Sequence, residues 1–258
     1  MLAREALASD GLPLISPGGI EALRAHAIET YPNECLGYVD GAGFYNRLIN
    51  VSSEPRRYAI ADKRAIADLL RDDAIRALCH SHPGGPDCPS ELDAQSQMEM
   101  DLPFIIVSAN ATASAEPFCW GDSLIDQRPL IGRSFRHMTD DCYALIRAWW
   151  LSERGVLLPD FARNWEWWLS QTPGEKNLYE RFFGSAGFFK IDKSEIRPGD
   201  VWLAAVRSDV VNHAGIVLED GLTLHHPSSG LAHDYARLSK RDSLARWFPY
   251  VRHWVRRS

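Results

Sequence analysis

The sequence contains little cysteine. Five of its 258 residues are Cys, and this odd number leaves at least one thiol free, so we expect no disulfide framework. Cys79 and Cys119 lie in apolar stretches, where cysteine usually packs as a small hydrophobic residue. Cys35 and Cys88 lack the paired spacing of a structural zinc knuckle. The cysteines therefore predict a reduced protein without a structural zinc–thiolate site.

Excess basic charge and long apolar segments are also absent. The 28 Lys and Arg are outnumbered by 34 Asp and Glu, giving a net charge of −6. Nucleic acids and anionic membranes select basic surfaces, so neither is expected as the main partner. The longest apolar runs are too short to span a bilayer, and acidic residues interrupt the first ten positions, where a signal peptide needs an apolar core. We therefore expect no membrane span, no signal peptide and synthesis in a cytoplasm.

No internal repeat or low-complexity tract is present, and the composition is that of a globular protein. Hydrophobic residues make up 45% and charged residues 24% of the chain, enough for one large or two ordinary cores. A polar segment near 123–133 contains Pro129 and Gly132 and follows no regular period, which indicates a boundary. We predict two domains, residues 1–125 and 126–258, of mixed α+β class.

Residues 1–17 have little to bury and predict an irregular leader. After it, apolar spacing and turn residues predict the elements of the first domain. They are a helix over 18–30, strands over 36–39, 44–51 and 58–60, a helix over 62–76, strands ending at residue 82 and over 103–108, and a closing strand over 118–121.

The stretch from Cys79 to Asp93 contains the first candidate site. If the strand before it continues to His82, then His80 and His82 lie on one face, because strand side chains alternate. A Pro/Gly-rich loop follows, and a helix predicted over 90–100 places Ser90 and Asp93 together on its first turn. Two imidazoles and one carboxylate are the protein ligands of a catalytic zinc site, which keeps a fourth position for water.

Each of these features also has a structural interpretation. Ser-x-x-Asp before an apolar run is a helix-capping pattern, and paired histidines near a loop are often surface residues. Together, however, the spacing His-x-His-x(7)-Ser-x(2)-Asp resembles that of the JAMM (MPN+) metalloproteases, over residues 10–122. The resemblance implies one Zn²⁺ ion held by His80, His82 and Asp93, catalytic roles for Glu34 and Ser90, and a central sheet flanked by helices.

The second domain has a candidate nucleophile. Thr139, Asp140 and Asp141 form a capping region before a predicted helix, so Cys142 falls in its first turn, where free N–H groups and the helix dipole favour a thiolate. Alternatively, Cys142 belongs to an apolar core stripe, since Leu145, Ile146 and Trp149 follow it at helical spacing. The segment alone leaves both interpretations open.

Two histidines follow on a predicted β-hairpin around residues 219–221. A two-residue loop would send His213 and His225 to opposite faces, whereas a three-residue loop with Gly221 in the left-handed conformation makes them diagonal neighbours. We predict the three-residue loop, with His213 as base to Cys142 and His225 orienting His213. His226 is the competing choice, although strand alternation points it the other way.

These residues resemble the motif of the NlpC/P60 cysteine peptidases, over about residues 130–235. The resemblance implies a papain-like domain with a helix packed on an antiparallel sheet, and the roles of nucleophile, base and third member for Cys142, His213 and His225. Some members use a tyrosine preceding the cysteine, but this chain has none between Tyr58 and Tyr143. That role is therefore unfilled or taken by a backbone group.

A JAMM-like domain followed by an NlpC/P60-like domain resembles the tail tip assembly protein K family of long-tailed phages. The resemblance implies a peptidase with two sites, partners among other tail tip proteins, and peptidoglycan and a ubiquitin-like tail assembly protein as substrates. It also implies assembly in the host cytoplasm and action from the virion tail tip at the host cell wall. The alternative from a different class is a structural tail-tip component in which one or both sites are silent.

Overall fold

The computed structural model describes residues 14–121, 128–172, 174–227 and 230–257. The chain divides into two compact units, one ending at Arg128 and the other beginning at Pro129. Most of the predicted leader, and residues 123–127 of the predicted boundary segment, lie outside the described residues. Within the described residues, every helix is too short or too polar to cross a bilayer. The mixed helices and sheets confirm the predicted α+β class.

The first unit contains three helices and five strands in the described residues. In chain order they are α1 (Pro17–Thr30), β1 (Leu36–Val39), β2 (Tyr45–Leu48), α2 (Lys63–Arg71), β3 (Ala77–Pro83), α3 (Glu91–Met100), β4 (Phe104–Ala109) and β5 (Phe118–Trp120). The strands form one sheet in the order β2-β1-β3-β4-β5, in which β3 and β4 are parallel and the other pairs antiparallel.

Both faces of this sheet are covered, which agrees with the nearly all-apolar sequence of β4. On one face, Leu23 and Ala27 of α1 pack against Cys79 of β3 and Ile105 of β4. On the other face, Ile66 of α2 packs with residues of the same two strands. The central strand β3 is thus fixed from both sides, and its C-terminal end carries the two histidines.

Two predicted elements of the first unit are wrong. Residues 58–60 form no strand, because the Asn50 side chain donates to Tyr58 O and accepts from Ile60 N, which holds this segment as a loop. The helix predicted over 62–76 ends at Arg71, since Asp73 adopts the left-handed conformation with φ of 52°. Residues 72–76 then connect α2 to β3.

The second unit has two helices, eight strands and two sheets in the described residues. Its elements are β6 (Ser134–Arg136), α4 (Cys142–Arg154), α5 (Leu178–Phe182), β7 (Phe188–Ile191), β8 (Val201–Ala204), β9 (His213–Val217), β10 (Leu222–His225), β11 (His233–Leu238), β12 (Lys240–Ser243) and β13 (Val251–Arg257). Six strands form an antiparallel sheet in the order β12-β10-β9-β8-β13-β7, and β6 pairs with β11 separately. Leu145 and Trp149 of α4 pack on the face that carries Ala214 and Ile216.

The hairpin between β9 and β10 confirms the predicted three-residue loop. Leu218 N donates to Leu222 O across the loop 219–221, and Gly221 adopts the left-handed conformation with φ of 67°. Asp220 is also left-handed, which its short side chain tolerates. Since His225 pairs with Gly215, His213 lies diagonally across from it on the same face.

Two candidate catalytic centres

The first centre lies where β3 leaves the sheet. In the antiparallel pair of β1 and β3, Leu36 opposes His80. Ser81 N donates to Cys35 O and Cys35 N donates to Ser81 Oγ, which extends the contact by one residue. Continued by one more step, this register places Glu34 opposite His82. Because opposed residues share a face, Glu34 joins the two histidines, and all three are buried.

Asp93, on the first turn of α3, completes the group. The two Nε2 atoms of His80 and His82 lie 3.1 Å apart. Asp93 Oδ1 is 3.2 Å from His80 Nε2, and Asp93 Oδ2 is 3.3 Å from His82 Nε2. One donor atom from each residue thus converges on a common point, as the spacing of the sequence predicts for a metal ligand set.

The donor chemistry and spacing fit a metal ion. His82 Nδ1 lies 2.9 Å from Pro86 O, which can only accept, so Nδ1 carries a proton and Nε2 is the nitrogen that faces Asp93; in the neutral ring this Nε2 presents a lone pair. A lone pair and a carboxylate at such distances repel each other unless a cation or a proton lies between them. Ligands on a tetrahedral ion with bonds of about 2.0–2.2 Å are separated by roughly 3.3–3.6 Å. The observed separations are close to this range.

Burial and charge set the protonation of this centre. Burial raises the pKa of Glu34, and the nearby His80 and His82 only partly oppose this effect. Burial would also raise the pKa of Asp93, but interactions with His80 and then His82 outweigh it, and the pKa falls below the usual range. The charged form of Asp93 is therefore favoured, as the predicted role of metal ligand requires, whereas the protonated form of Glu34 is stabilised relative to a solvated carboxylate.

Ser90, for which the sequence predicts a catalytic role, also makes structural contacts. Its Oγ accepts from Asp93 N and donates to Asp93 Oδ2 at 2.7 Å, and Ser90 N donates to the same oxygen. The capping pattern is thus a real capping box at the start of α3. It also fixes the Asp93 carboxylate beside the histidines, so one motif both caps the helix and orients a ligand.

We expect the full-length chain to bind one divalent transition-metal ion per molecule, measured with Zn²⁺ as the probe ion by equilibrium dialysis and elemental analysis. Second-sphere substitutions weaken metal sites by about 10–100-fold, so His80→Ala and Asp93→Ala, which remove ligands, should weaken binding at least as much. His26→Ala is the matched control, since this histidine of the same unit bonds to Tyr45 instead. Equal binding by wild type and both ligand variants would refute the assignment.

The second centre lies between the start of α4 and the hairpin. His213 Nε2 is 3.3 Å from His225 Nδ1, and the two rings meet edge to face. Cys142 and His213 line the same cavity of about 90 Å³, whose walls are mostly aromatic. The structure thus brings the two predicted histidines into contact and places Cys142 in the lining of the cavity that His213 also lines. It does so with His225 rather than His226, which packs against Phe135.

Gly215 explains the His-x-Gly part of the motif. A Cβ at this position would lie 2.4 Å from the Trp202 ring and 2.8 Å from Leu224 O, so no larger residue fits. The indole of Trp202 lies against His213, and its Nε1 donates to Thr223 Oγ1 at 2.7 Å. A residue without a side chain at 215 therefore lets Trp202 support the histidine pair.

Burial and the charge of Asp141 oppose the thiolate that a helix N-terminus favours. Asp141 caps α4 through the N–H groups of Tyr143 and Ala144, and its negative charge lies beside the thiol. Burial, with a smaller contribution from Asp141, raises the pKa of Cys142 to about 11. Burial lowers the pKa of His213 to about 3. The resting pair is a neutral thiol and a neutral imidazole.

Sequence reasoning missed Tyr179, whose hydroxyl oxygen lies 2.9 Å from Cys142 Sγ. Burial raises its pKa well above the usual range, so the phenol stays protonated and able to donate. The tyrosine comes from α5, after the cysteine rather than before it. The dense aromatic run between α4 and the hairpin was the available signal, but its spacing could not show which ring reaches the thiol.

Arg163 was also missed. Its guanidinium donates to both Asp141 oxygens at 2.9 Å and to Asp160 at 3.1 Å, and all three side chains are largely buried. Breaking such a buried pair typically costs about 3–5 kcal/mol, because one charge is left without its partner. Arg163 thereby fixes the capping residue next to the nucleophile.

We expect Tyr179→Phe to slow the alkylation of Cys142 by iodoacetamide by about tenfold at fixed pH. The hydroxyl stabilises the thiolate, and a hydrogen bond to a charged group contributes about 1.5–3 kcal/mol. Losing it should move the labelling midpoint of Cys142 further above pH 11, measured by peptide mass mapping. Tyr143→Phe is the control, since that hydroxyl donates to Pro159 O instead. Unchanged labelling in Tyr179→Phe would exclude this role.

Comparison with known proteins gives two family matches in chain order. Residues 17–120 match the prokaryotic homologs of the JAB domain, and residues 115–249 match the NlpC/P60 family. The chain is 30% identical over 244 residues to "Tail tip assembly protein K" of Escherichia phage N15, covering 93% of this chain and 91% of that protein. It is 36% identical over 185 residues to the protein of the same name from Escherichia phage lambda, covering 71% and 79%.

A third relative matches part of the chain. It is a "Probable TtuB-protein conjugate cleaving protease" of Thermus thermophilus, 32% identical over 105 residues, which are 37% of this chain and 70% of that protein.

Proposed function

The chain belongs to the tail tip assembly protein K family, and on this basis we propose that it is a tail assembly protein with two peptidase sites. The second site would hydrolyse stem peptides of peptidoglycan, and the first would hydrolyse a peptide or isopeptide bond in a protein. Tail assembly implies contacts with other tail proteins, first in the host cytoplasm and then at the virion tail tip. The observation that carries the proposal is the His213–His225 contact at the cavity that also contains Cys142.

At the second site, His213 accepts the thiol proton of Cys142 as sulfur attacks the scissile carbonyl. His225 accepts a hydrogen bond from His213 Nε2–H, which leaves Nδ1 of His213 free to act as the base. Tyr179, already within hydrogen-bond distance of the sulfur, donates to charge that develops there. His213 then returns the proton to the leaving amine, and water releases the acyl group by the same route.

At the first site, His80, His82 and Asp93 would hold a Zn²⁺ ion, with Ser90 orienting Asp93. Zinc bound there would supply Lewis-acid polarisation of a water molecule and of the scissile carbonyl. Glu34 takes a proton from the attacking water and delivers it to the leaving amine, a role suited to its raised pKa. The Ser90 hydroxyl would turn from Asp93 Oδ2 to donate a hydrogen bond to the tetrahedral oxyanion, while Ser90 N–H keeps its bond to the same carboxylate oxygen.

A structural tail-tip role is the alternative. The observation in its favour is the neutral, half-buried thiol of Cys142, since a cysteine peptidase commonly depends on an ionised one.

The test of the second site is digestion of purified Gram-negative peptidoglycan, with fragments identified by mass spectrometry. We expect the wild type to release cleaved stem peptides, Cys142→Ala to release none above background, and His80→Ala to retain activity. Cys119→Ala is the matched control, since that cysteine is remote in sequence from the second site and packs in the first unit. Absence of cleavage by the reduced, zinc-loaded wild type would support the structural alternative.

The first site is tested in the Cys142→Ala background, which silences the second one. We expect cleavage of linear or isopeptide-linked conjugates of ubiquitin-fold proteins, because the Thermus thermophilus relative is named for cleaving protein conjugates. Glu34→Gln should lower the rate by about 10²–10⁴-fold, the usual contribution of a general base, while zinc content stays unchanged. Glu29→Gln is the control, since Glu29 lies on the surface of α1 and pairs with Arg47. Equal rates in Glu34→Gln and wild type would contradict the role of Glu34.

A further inference from the structure

We propose that Asp242 is a positioning residue of the cysteine site, which fixes the tautomer of His225 and through it the proton-accepting nitrogen of His213. The proposal rests on the proposed peptidase function for the direction of proton transfer. It adds a fourth residue, on β12, to the nucleophile and two histidines.

The strand pairing places Asp242 on the face that carries the histidines. In the antiparallel pair of β10 and β12, Thr223 opposes Asp242 and His225 opposes Lys240. Because Thr223 and His225 are two residues apart, Asp242 is the diagonal neighbour of His225 on the same face. Its Oδ2 lies 3.7 Å from His225 Nε2, on the opposite side of the imidazole from His213.

His225 is almost fully buried, and its Nε2 has no hydrogen-bond partner within the normal criteria among the described residues. A buried imidazole N–H requires a partner, and Asp242 Oδ2 is the carboxylate oxygen that faces it. A shift of a few tenths of an ångström closes the hydrogen bond. Asp242 remains ionised, since the hydrogen bonds of Ser243 N–H and Arg246 lower its pKa despite the opposing effect of burial.

The contact between Asp242 and His225 determines which nitrogens of His225 and His213 carry protons. An ionised carboxylate can only accept, so His225 must carry its proton on Nε2 and present a lone pair at Nδ1. That lone pair accepts from His213 Nε2–H, which in turn leaves His213 Nδ1 unprotonated. With the opposite tautomer of His225, both rings would direct a proton at the 3.3 Å contact, or His213 would lose its free Nδ1.

The surroundings keep this arrangement rigid. Trp247 packs against both imidazoles, with ring centroids 4.6 Å from His225 and 4.9 Å from His213. The same indole stacks on Trp202 at 4.7 Å. Two aromatic planes therefore shield the histidine pair from water, so the tautomer is set by Asp242 rather than by solvent.

Other charged groups reach Asp242 only from its outer side. Arg246 bonds to both carboxylate oxygens at 3.0 and 3.1 Å from an exposed position, and Lys240 Nζ lies 3.6 Å from Oδ2. The Asp242 side chain is 13% exposed, but Arg246 and Lys240 are exposed, and ion pairs with such solvated partners typically contribute about 0–1 kcal/mol to stability. A merely structural role for Asp242 would therefore predict small effects when its charge is removed.

The test uses the full chain with ¹⁵N-labelled histidine and needs no substrate. Nitrogen chemical shifts report which ring atom of His225 is protonated, with the resonances assigned through a His225→Gln variant. We expect Nε2–H in the wild type and in Asp242→Glu, and loss of this single tautomer in Asp242→Leu. Cys142 alkylation at pH 7, followed by peptide mass mapping, should fall about tenfold in Asp242→Leu, less in the nearly isosteric Asp242→Asn, and recover in Asp242→Glu.

Asp220→Asn is the matched control, because this exposed aspartate lies on the turn of the same hairpin, where Asn tolerates the left-handed backbone. An Nδ1–H tautomer of His225 in the wild type would overturn the proposal. So would unchanged tautomer and alkylation in Asp242→Asn and Asp242→Leu, with melting temperatures showing that both are folded. If the tautomer behaves as expected but no peptidoglycan is cleaved, the proposed function fails while the positioning role of Asp242 stands.

Discussion

The register of antiparallel strand pairs is the constraint on which both centres depend. In the first unit, the pairing of Leu36 with His80 carries Glu34 to the face of the two histidines. In the second unit, the pairing of Gly215 with His225 brings two histidines twelve residues apart within 3.3 Å. A slip of one residue in either ladder would turn these side chains to the opposite face. The backbone hydrogen bonds of the sheets thus specify the chemistry, and the apolar cores hold the register.

Burial is the second constraint, and it acts differently in the two centres. In the first unit burial raises the pKa of Glu34, which favours its protonated form. The contacts of Asp93 with His80 and His82 have the opposite effect and favour the ionised form of that carboxylate. In the second unit burial keeps Cys142 protonated and His213 neutral. The first site therefore combines one carboxylate whose pKa is lowered with one whose pKa is raised, and the second site favours an uncharged thiol and imidazole.

Local features could be predicted from the sequence, and long-range ones could not. Capping residues and periodicity predict α1, β1 and the start of α3, and the hairpin loop follows from the position of Gly221. Tyr179, Arg163 and Asp242 approach the site from elements with no fixed sequence distance to it, so spacing carried no information about them. The predicted strand over 58–60 is wrong because the Asn50 side chain binds Tyr58 O and Ile60 N, two of its backbone groups that a strand would pair with a neighbouring strand.

A neutral thiol–imidazole pair makes orientation more important than preformed charge. In the proposed mechanism the proton leaves Cys142 as the new bond forms, so the rate would depend on His213 presenting a lone pair at the correct nitrogen. Buried contacts restrict the orientation of the histidines. Gly215 has no side chain, which leaves room for Trp202, and the Trp202 indole N–H donates to Thr223 Oγ1. Trp247 packs against the rings of His213 and His225. These contacts add no charge, yet each restricts how the histidines can turn. The same low polarity that keeps the thiol protonated strengthens the hydrogen bonds that align its base.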